Sequence, residues 1–241
     1  MMKYLIVFGS DDYELSKSSL IKSAEPYFDH CFSFKKEDID KEFYDENCKI
    51  LDQKRGAGYW LWKPYFILDI LNSIKEGDIV FYVDAGNIFL KNPDFLYSHF
   101  DHKGIILFDN RDGMDNGEVA QNFISCKKDC FYLMDCDEEK FIFGKHLNAS
   151  YQIYKKNDYS VKFVESYLDY CKNEFILTDT PNSHGENYPG YYDHRHDQSV
   201  LSLLAMKHNI EPLIDPSEWG NNVDRGFEQL FLHHRKKDFI I

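Results

Sequence analysis

The stretch Asp78-Ile79-Val80-Phe81-Tyr82-Val83-Asp84-Ala85-Gly86-Asn87 decides how the chain is read. Five apolar or aromatic residues run unbroken into a carboxylate, followed by two small residues. A run this short, bounded by Gly77 and Gly86, has the pattern of a strand buried on both faces. A carboxylate at the C-terminal end of such a strand stands where open α/β sheets bind their ligands. Asp84 is therefore a candidate site residue. The competing reading is a turn aspartate, because Asp before small residues is ordinary turn chemistry.

Working outward, Tyr4–Phe8 is a first buried strand and Gly9-Ser10-Asp11-Asp12-Tyr13 its outgoing loop. Leu15–Ala24 has helical spacing and Cys31–Phe34 is a short second strand, so the chain opens as a Rossmann-like half domain. No Gly-x-Gly-x-x-Gly follows, and nothing favours a dinucleotide cofactor. Asp38–Leu51 reads as loop plus weak helix. In Arg55-Gly56-Ala57-Gly58-Tyr59-Trp60-Leu61-Trp62-Lys63-Pro64, glycines permit close backbone approach and the indoles offer flat apolar surface. Pro64 suits the first turn of a helix to Ser73, which places Lys63 at an anion-attracting helix start. The alternative is an aromatic hinge with Arg55 and Lys63 solvated.

Beyond the opening strand, a short helix from Asn92-Pro93-Asp94, a strand Ile105–Phe108 and a helix Cys126–Met134 are expected. A strand Ser150–Tyr154 and a helix Val161–Tyr170 follow. Asp179–Tyr192 is a long loop, of a length that is functional or mobile in compact domains. Asp193-His194-Arg195-His196-Asp197-Gln198-Ser199 crowds ionisable groups at the start of a helix Ser199–His208. One of its aspartates can be the N-cap, which leaves both histidines and the arginine to be explained. Ile210–Ile214 is a late edge strand, and the tail carries His233-His234-Arg235-Lys236-Lys237.

The bulk numbers bound the function. The 241 residues suit one large domain, and 43% hydrophobic with 17% aromatic content is globular. A net charge of −13 argues against a general nucleic-acid or anionic-membrane binder. It leaves room for a small anion held by local cations. The six cysteines contain no Cys-x-x-Cys and no completed zinc set, so they read as reduced thiols. The first apolar run is five residues long, shorter than the roughly 7–15 of a signal peptide or the ~20 of a membrane helix. A cytoplasmic protein without membrane insertion is expected.

A strand-end carboxylate, an Arg/Lys pair on a glycine-rich loop, a His/Asp cluster and a His-His-Arg tail are together suited to handling a diphosphate. A hard divalent cation would bridge phosphate oxygens, and Arg and Lys would neutralise the remaining charge. A diphosphate could then leave a sugar carbon, with Asp197 deprotonating an acceptor hydroxyl or stabilising positive charge on the sugar.

On the segments Arg55-Gly-Ala-Gly-Tyr-Trp-Leu-Trp-Lys-Pro, Phe81-Tyr-Val-Asp-Ala-Gly, Asn148-Ala-Ser, His194-Arg-His-Asp-Gln-Ser and the terminal His-His-Arg, the chain resembles small GT-A-type glycosyltransferases of bacterial surface-polysaccharide loci and large DNA viruses. The resemblance runs from Tyr4 to about Arg235. It implies a single α/β GT-A domain over 1–241 with a mixed, mainly parallel sheet, the nucleotide-sugar half in 1–110 and the acceptor half in 111–241. It implies transfer from a nucleotide-diphosphate sugar, with a UDP-sugar expected, to a glycan or other hydroxyl acceptor, assisted by Mn²⁺ or Mg²⁺. Asp84 matches the first aspartate of the family's Asp-x-Asp, and Gly86 departs from the second. A histidine of the tail, His233 or His234, would complete the metal site. Donor binding would fall to Ser10, Asp11, Tyr13, Arg55, Lys63, Asp84, Ala85, Gly86, Gln152 and Arg235. Ser150, Tyr191, Tyr192 and His194 would face the acceptor, and Asp197 and His196 would be catalytic. Two other matches, Asp38-Ile39-Asp40 and Asp135-Cys136-Asp137, lack a buried strand to present them. A sugar-1-phosphate nucleotidyltransferase is disfavoured by the acidic first loop. A binding module without catalysis remains an alternative, supported by Gly86.

Overall fold

The computed structural model describes residues 1–114 and 117–241, with the side chain of Asp11 also outside the description. Strands β1 (Lys3–Phe8), β2 (His30–Phe34), β3 (Ile79–Val83), β5 (Ile105–Asp109) and β6 (Leu147–Lys155) form one sheet in the order β2-β1-β3-β6-β5. β1 pairs parallel with both β2 and β3, while β6 runs antiparallel between β3 and β5. Four strands therefore share one direction, giving a mixed, mainly parallel α/β sheet. β6 comes from the second half of the chain and lies between strands of the first, so 1–110 and 111–241 share this sheet.

The opening stretch behaves as its pattern requires. Every residue of β3 is buried, with Val80 and Tyr82 in the core on one face and Ile79, Phe81 and Val83 in the core on the other. This is the period-two alternation of a strand covered on both sides. The helices α2 (Lys41–Leu51), α4 (Trp62–Ser73), α8 (Asp158–Cys171) and α10 (Asp197–Lys207) contribute to the first core. Helix α1 (Glu14–Ala24) and strand β4 (Asn87–Phe89), paired antiparallel with β7 (Phe231–His233), contribute to the second. No helix among the described residues is long and apolar enough to cross a membrane.

Several boundaries differ from the sequence reading. Asp38–Leu51 holds a full three-turn helix, because the Asp40 side chain caps it through the Glu42 and Phe43 amides and Ile50 and Leu51 anchor it in the core. The Cys126–Met134 segment is divided: α5 (Asn122–Ser125) ends before it and α6 (Lys128–Leu133) lies within it. Ile210–Ile214 forms only a bridge of Leu213 to Phe108. α10 begins at Asp197 rather than Ser199, with His196 at the N-cap position. The cysteines are free, and four are buried.

The two glycines of the aromatic segment serve an unusual turn. From Gly56 through Trp60 five consecutive residues have positive φ, three of them (Ala57, Tyr59, Trp60) not glycine. Each such non-glycine residue costs about 1–2 kcal/mol. At Gly58, φ is +100° and an added Cβ would stand 2.8 Å from the Leu51 Cα. The turn, called α3 (Gly56–Tyr59), is thus held by close packing against the end of α2. Trp62 is core rather than ligand surface: its ring stacks on Phe8 at 3.7 Å and its indole N–H donates to the Gly56 carbonyl.

Candidate active site

The strand order places a topological switch between β1 and β3, since β2 lies to one side of β1 and β3 to the other. Crevices beyond the C-terminal ends of such strands are where open α/β sheets bind ligands. The Gly9–Tyr13 loop leaves β1 there, and Asp84-Ala85-Gly86 leaves β3.

One buried cation organises this end of the sheet. Lys63, in the first turn of α4, is 2% exposed, and its ammonium lies 2.8 Å from Asp197 Oδ2 and 3.4 Å from Asp84 Oδ1. It also donates to the Ala149 carbonyl at 3.3 Å. Tyr82 donates to Asp84 Oδ1 at 2.5 Å and Tyr167 to Asp197 Oδ2 at 3.2 Å. Burial would lower the Lys63 pKa, but Asp197 and Asp84 outweigh it and leave the ammonium's pKa raised. Burial pushes the Asp197 carboxyl above the usual carboxylate range, and Lys63 opposes the shift. The Asp197 side chain is 5% exposed and that of Asp84 31%, so Asp84 is the carboxylate an incoming ligand meets.

The tail closes over the same crevice. After β7, the Arg235 amide donates to the Gly86 carbonyl at 3.1 Å. A Cβ on residue 86 would stand 3.2 Å from the Arg235 Cα, a tight contact that favours a glycine where a second aspartate was expected. Arg235 pairs with Asp112, and its guanidinium feels the charge of Asp84. Lys237 then pairs with Asp12 at 2.8 Å and lies over the Tyr13 ring. Ser16 and Ser19 of α1 donate to the carbonyls of Lys236 and Phe239. The tail is a strap from the end of β3, past the β1 loop, to α1.

The residues singled out in the sequence distribute unevenly. Lys63, Asp84, Ala85, Gly86, Asp197 and Arg235 come together. Ser10 is exposed and Tyr13 half-buried, both on the adjoining loop, and the side chain of Asp11 lies outside the described structure. Ser150 contributes its carbonyl, which accepts from the Asp84 amide. Gln152 is wholly buried, donating to the Ala149 carbonyl and accepting from Tyr154. His194 is buried and spent: its Nδ1 accepts from the Lys127 amide and its Nε2 donates to the Ile176 carbonyl. Arg55 has Asp179 and Asp193 as its ion partners, at 3.2 and 4.0 Å. Tyr191 lies near the same two carboxylates, and its hydroxyl is pushed up to about 12 chiefly by burial. Tyr192 projects outward, 80% exposed.

The long loop is tied down. Asp129 accepts from the Ser183 and His184 amides, and the buried Lys127 ammonium donates to the Thr178 and Thr180 carbonyls on either side of Asp179. His196 adopts φ 53° and ψ −120°, a strained conformation for a side-chain-bearing residue. Its ring packs on Tyr59 and stacks on Trp60, 4.8 and 5.5 Å between centroids. Burial draws its pKa down to about 4, so the imidazole is neutral at pH 7.

The expected metal donors do not assemble. Among the described residues, no three His, Cys, Asp or Glu side chains form a metal-binding group. Asp84 is engaged by Lys63 and Tyr82, His233 Nε2 faces the Arg235 guanidinium at 3.4 Å, and the His234 ring stacks on Phe239. Asp84, His233 and His234 are thus not grouped around one point, although His233 Nδ1 and His234 Nε2 are buried without a hydrogen-bond partner.

Tyr82, Tyr167, Gln198 and Asp179 escaped the sequence reading. Gln198 had a signal, standing next to Asp197 at the helix start; its side-chain oxygen accepts from the Ala149 amide. Tyr167 reaches Asp197 across 30 positions through helix packing, which no local pattern announces.

No family model and no curated protein matches this chain. Among solved structures it is similar to the apo form of the bifunctional glycosyltransferase WbbM, with TM-score 0.47, 10% identity, and coverage of 84% of this chain and 37% of that one. It is similar to apo mouse xyloside xylosyltransferase 1, with TM-score 0.47, 9% identity, and coverage of 100% and 99%. It is also similar to the apo glycosyltransferase GlyE of Streptococcus pneumoniae TIGR4, with TM-score 0.48, 17% identity, and coverage of 100% and 57%. The chain thus spans less than two thirds of WbbM and of GlyE. A likeness at this level carries no activity across.

Proposed function

We propose that this protein is a GT-A-type glycosyltransferase that moves a sugar from a nucleotide-diphosphate donor, with UDP as the expected nucleotide, to a hydroxyl acceptor. The observation that carries the reading is Lys63 held between Asp84 and Asp197 at the carboxyl ends of the switch-point strands. Fixed charges of both signs in a partly dry site suit a reaction that separates a diphosphate anion from a positively charged sugar. Arg235, whose side chain is 55% exposed, would supply positive charge where the diphosphate departs, while the buried Lys63 fixes Asp84 and Asp197 in place. Asp197, oriented by Lys63 and Tyr167, would stabilise the sugar carbon's developing positive charge. The strap brings Lys237 to the β1 loop, suited to enclosing the nucleoside. Because the metal donors do not assemble, no step is assigned to a metal.

A thermal-shift panel of nucleotide sugars tests the donor, since a ligand at 100 times its Kd stabilises by about 2.7 kcal/mol. UDP-sugars should raise Tm in wild type and lose that effect in Arg235→Ala. An equal response to all anions, including inorganic pyrophosphate, would refute a donor-specific site.

A further inference from the structure

Resting on that reading, we propose that His196 and Asp179, the latter held by Arg55 and Tyr59, form a subsite that grips two neighbouring hydroxyls of a sugar ring. The argument begins with hydrogen-bond roles. His196 Nδ1 lies 2.8 Å from the Leu177 carbonyl, which can only accept, so Nδ1 carries the proton. Nε2 of the neutral ring is then an acceptor. It is buried with no partner, in a residue only 2% exposed. It points at Asp179 Oδ1 from 4.0 Å. Two acceptors facing each other need a donor between them, and a buried acceptor left without one costs about 1–3 kcal/mol. One hydroxyl carries a single proton, so two neighbouring hydroxyls of one ring are needed, one donating to His196 Nε2 and the other to Asp179 Oδ1.

The surroundings define the ligand's character. The other Asp179 oxygen accepts from Tyr59 at 3.0 Å and from Arg55 at 3.2 Å, so the carboxylate is fixed rather than free to rotate away. Asp193 Oδ1 is likewise buried without a hydrogen bond, although Arg195 Nε stands 3.1 Å from it. Two carboxylates face two guanidiniums, with the buried Lys127 ammonium behind Asp179, and the groups left open, Asp179 Oδ1 and His196 Nε2, are acceptors that call for hydroxyl donors. Tyr191 lies beside both carboxylates and the exposed Tyr192 follows it, offering faces on which a sugar ring can stack. The strained backbone at Tyr59, Trp60 and His196 meets at this point, and its cost is repaid only by tertiary contacts that fix it.

The sugar ring can belong to the donor or to the acceptor, and Asp179→Asn distinguishes the two. The asparagine N–H₂ can donate to His196 Nε2 internally, which closes the gap and leaves the hydroxyls without their acceptors. Binding of UDP, of a UDP-hexose series and of a panel of free neutral saccharides is measured by calorimetry and saturation-transfer NMR on both proteins, with a melt to confirm folding. A loss of at least tenfold for UDP-hexose, exceeding any loss for UDP, places the donor's sugar in the subsite. A loss of that size for a free saccharide places the acceptor there. Tyr59→Phe should weaken the same ligand by a smaller factor. Saccharide and UDP-hexose affinities that follow UDP unchanged in Asp179→Asn would overturn the subsite. Failure of wild type to bind any nucleotide sugar, with saccharide binding retained, would instead overturn the proposed donor chemistry and leave the subsite standing.

Discussion

Replacing Lys63 by Met is the most informative single perturbation of the fold. The ammonium is buried and touches two carboxylates, one of them as buried as itself. Removing it leaves Asp197 without its cation in a site that only Tyr167 still satisfies. Breaking a buried pair from one side costs about 3–5 kcal/mol. For a chain of this size each kcal/mol moves Tm by about 2–4 °C, so a drop of roughly 6–20 °C is expected. The pH dependence has a definite sign. Asp197 already has a raised pKa in the folded protein, and losing Lys63 raises it further. A carboxyl raised on folding supports stability below its unfolded pKa of about 4, and that support is lost as pH rises through the folded value. Lys63, also raised, gives support present below about 10.4 and lost only above that. The gap between wild type and Lys63→Met should therefore be small near pH 4 and wide at pH 7–8. Adding Asp197→Leu should recover most of the loss, since removing both partners is far cheaper than removing one. Urea unfolding at both pH values checks this. A loss under about 1 kcal/mol at pH 7, or one independent of pH, would refute the buried-triad reasoning.

Other outcomes follow from the same geometry. Gly58→Ala meets both the positive φ and the Leu51 backbone, and should cost about 2 kcal/mol or more by chemical denaturation, while loosening the turn under Tyr59 and Trp60. His146 is buried, and burial draws its pKa down to about 3. A depressed histidine gives stability present above its unfolded pKa of about 6.5 and lost as pH falls toward the folded value. His146→Gln should therefore remove about 2–3 kcal/mol of the stability lost between pH 7 and pH 4.5, as pH-resolved denaturation would show. Since no group of three donors assembles among the described residues, UDP affinity should persist in excess chelator within about threefold; binding that appears only with Mn²⁺ would contradict the assignment of phosphate charge to Arg235.

The legible part of the fold was the part with period and punctuation. Ile79–Val83 announced a doubly buried strand because nothing polar interrupts it, and Asp84 followed as its exposed end. Lys63 was legible through Pro64, although the helix begins at Trp62. The left-handed turn was not, because two glycines predict flexibility but cannot tell that Ala57, Tyr59 and Trp60 share their handedness. The Asp38-Ile39-Asp40 motif was correctly set aside: Asp40 caps α2. Gly86 looked like a missing ligand in one dimension. In three it is the place where the tail's backbone crosses, a relation between residues 149 positions apart that local sequence does not encode. Arg55 and Lys63, eight residues apart, read as one anion site, yet the turn between them sends Arg55 to Asp179 and Lys63 to Asp84.

The most direct test of the central claim is nucleoside-diphosphate release from a purified panel of nucleotide sugars, followed by NMR with and without saccharide acceptors. Wild type should release UDP from at least one UDP-sugar, and Asp197→Asn should lower the rate by 100-fold or more, about 2.7 kcal/mol of barrier, with donor affinity changed far less. Donor binding without any release of UDP, whatever the acceptor, would contradict an enzyme and leave a sugar-nucleotide binding protein.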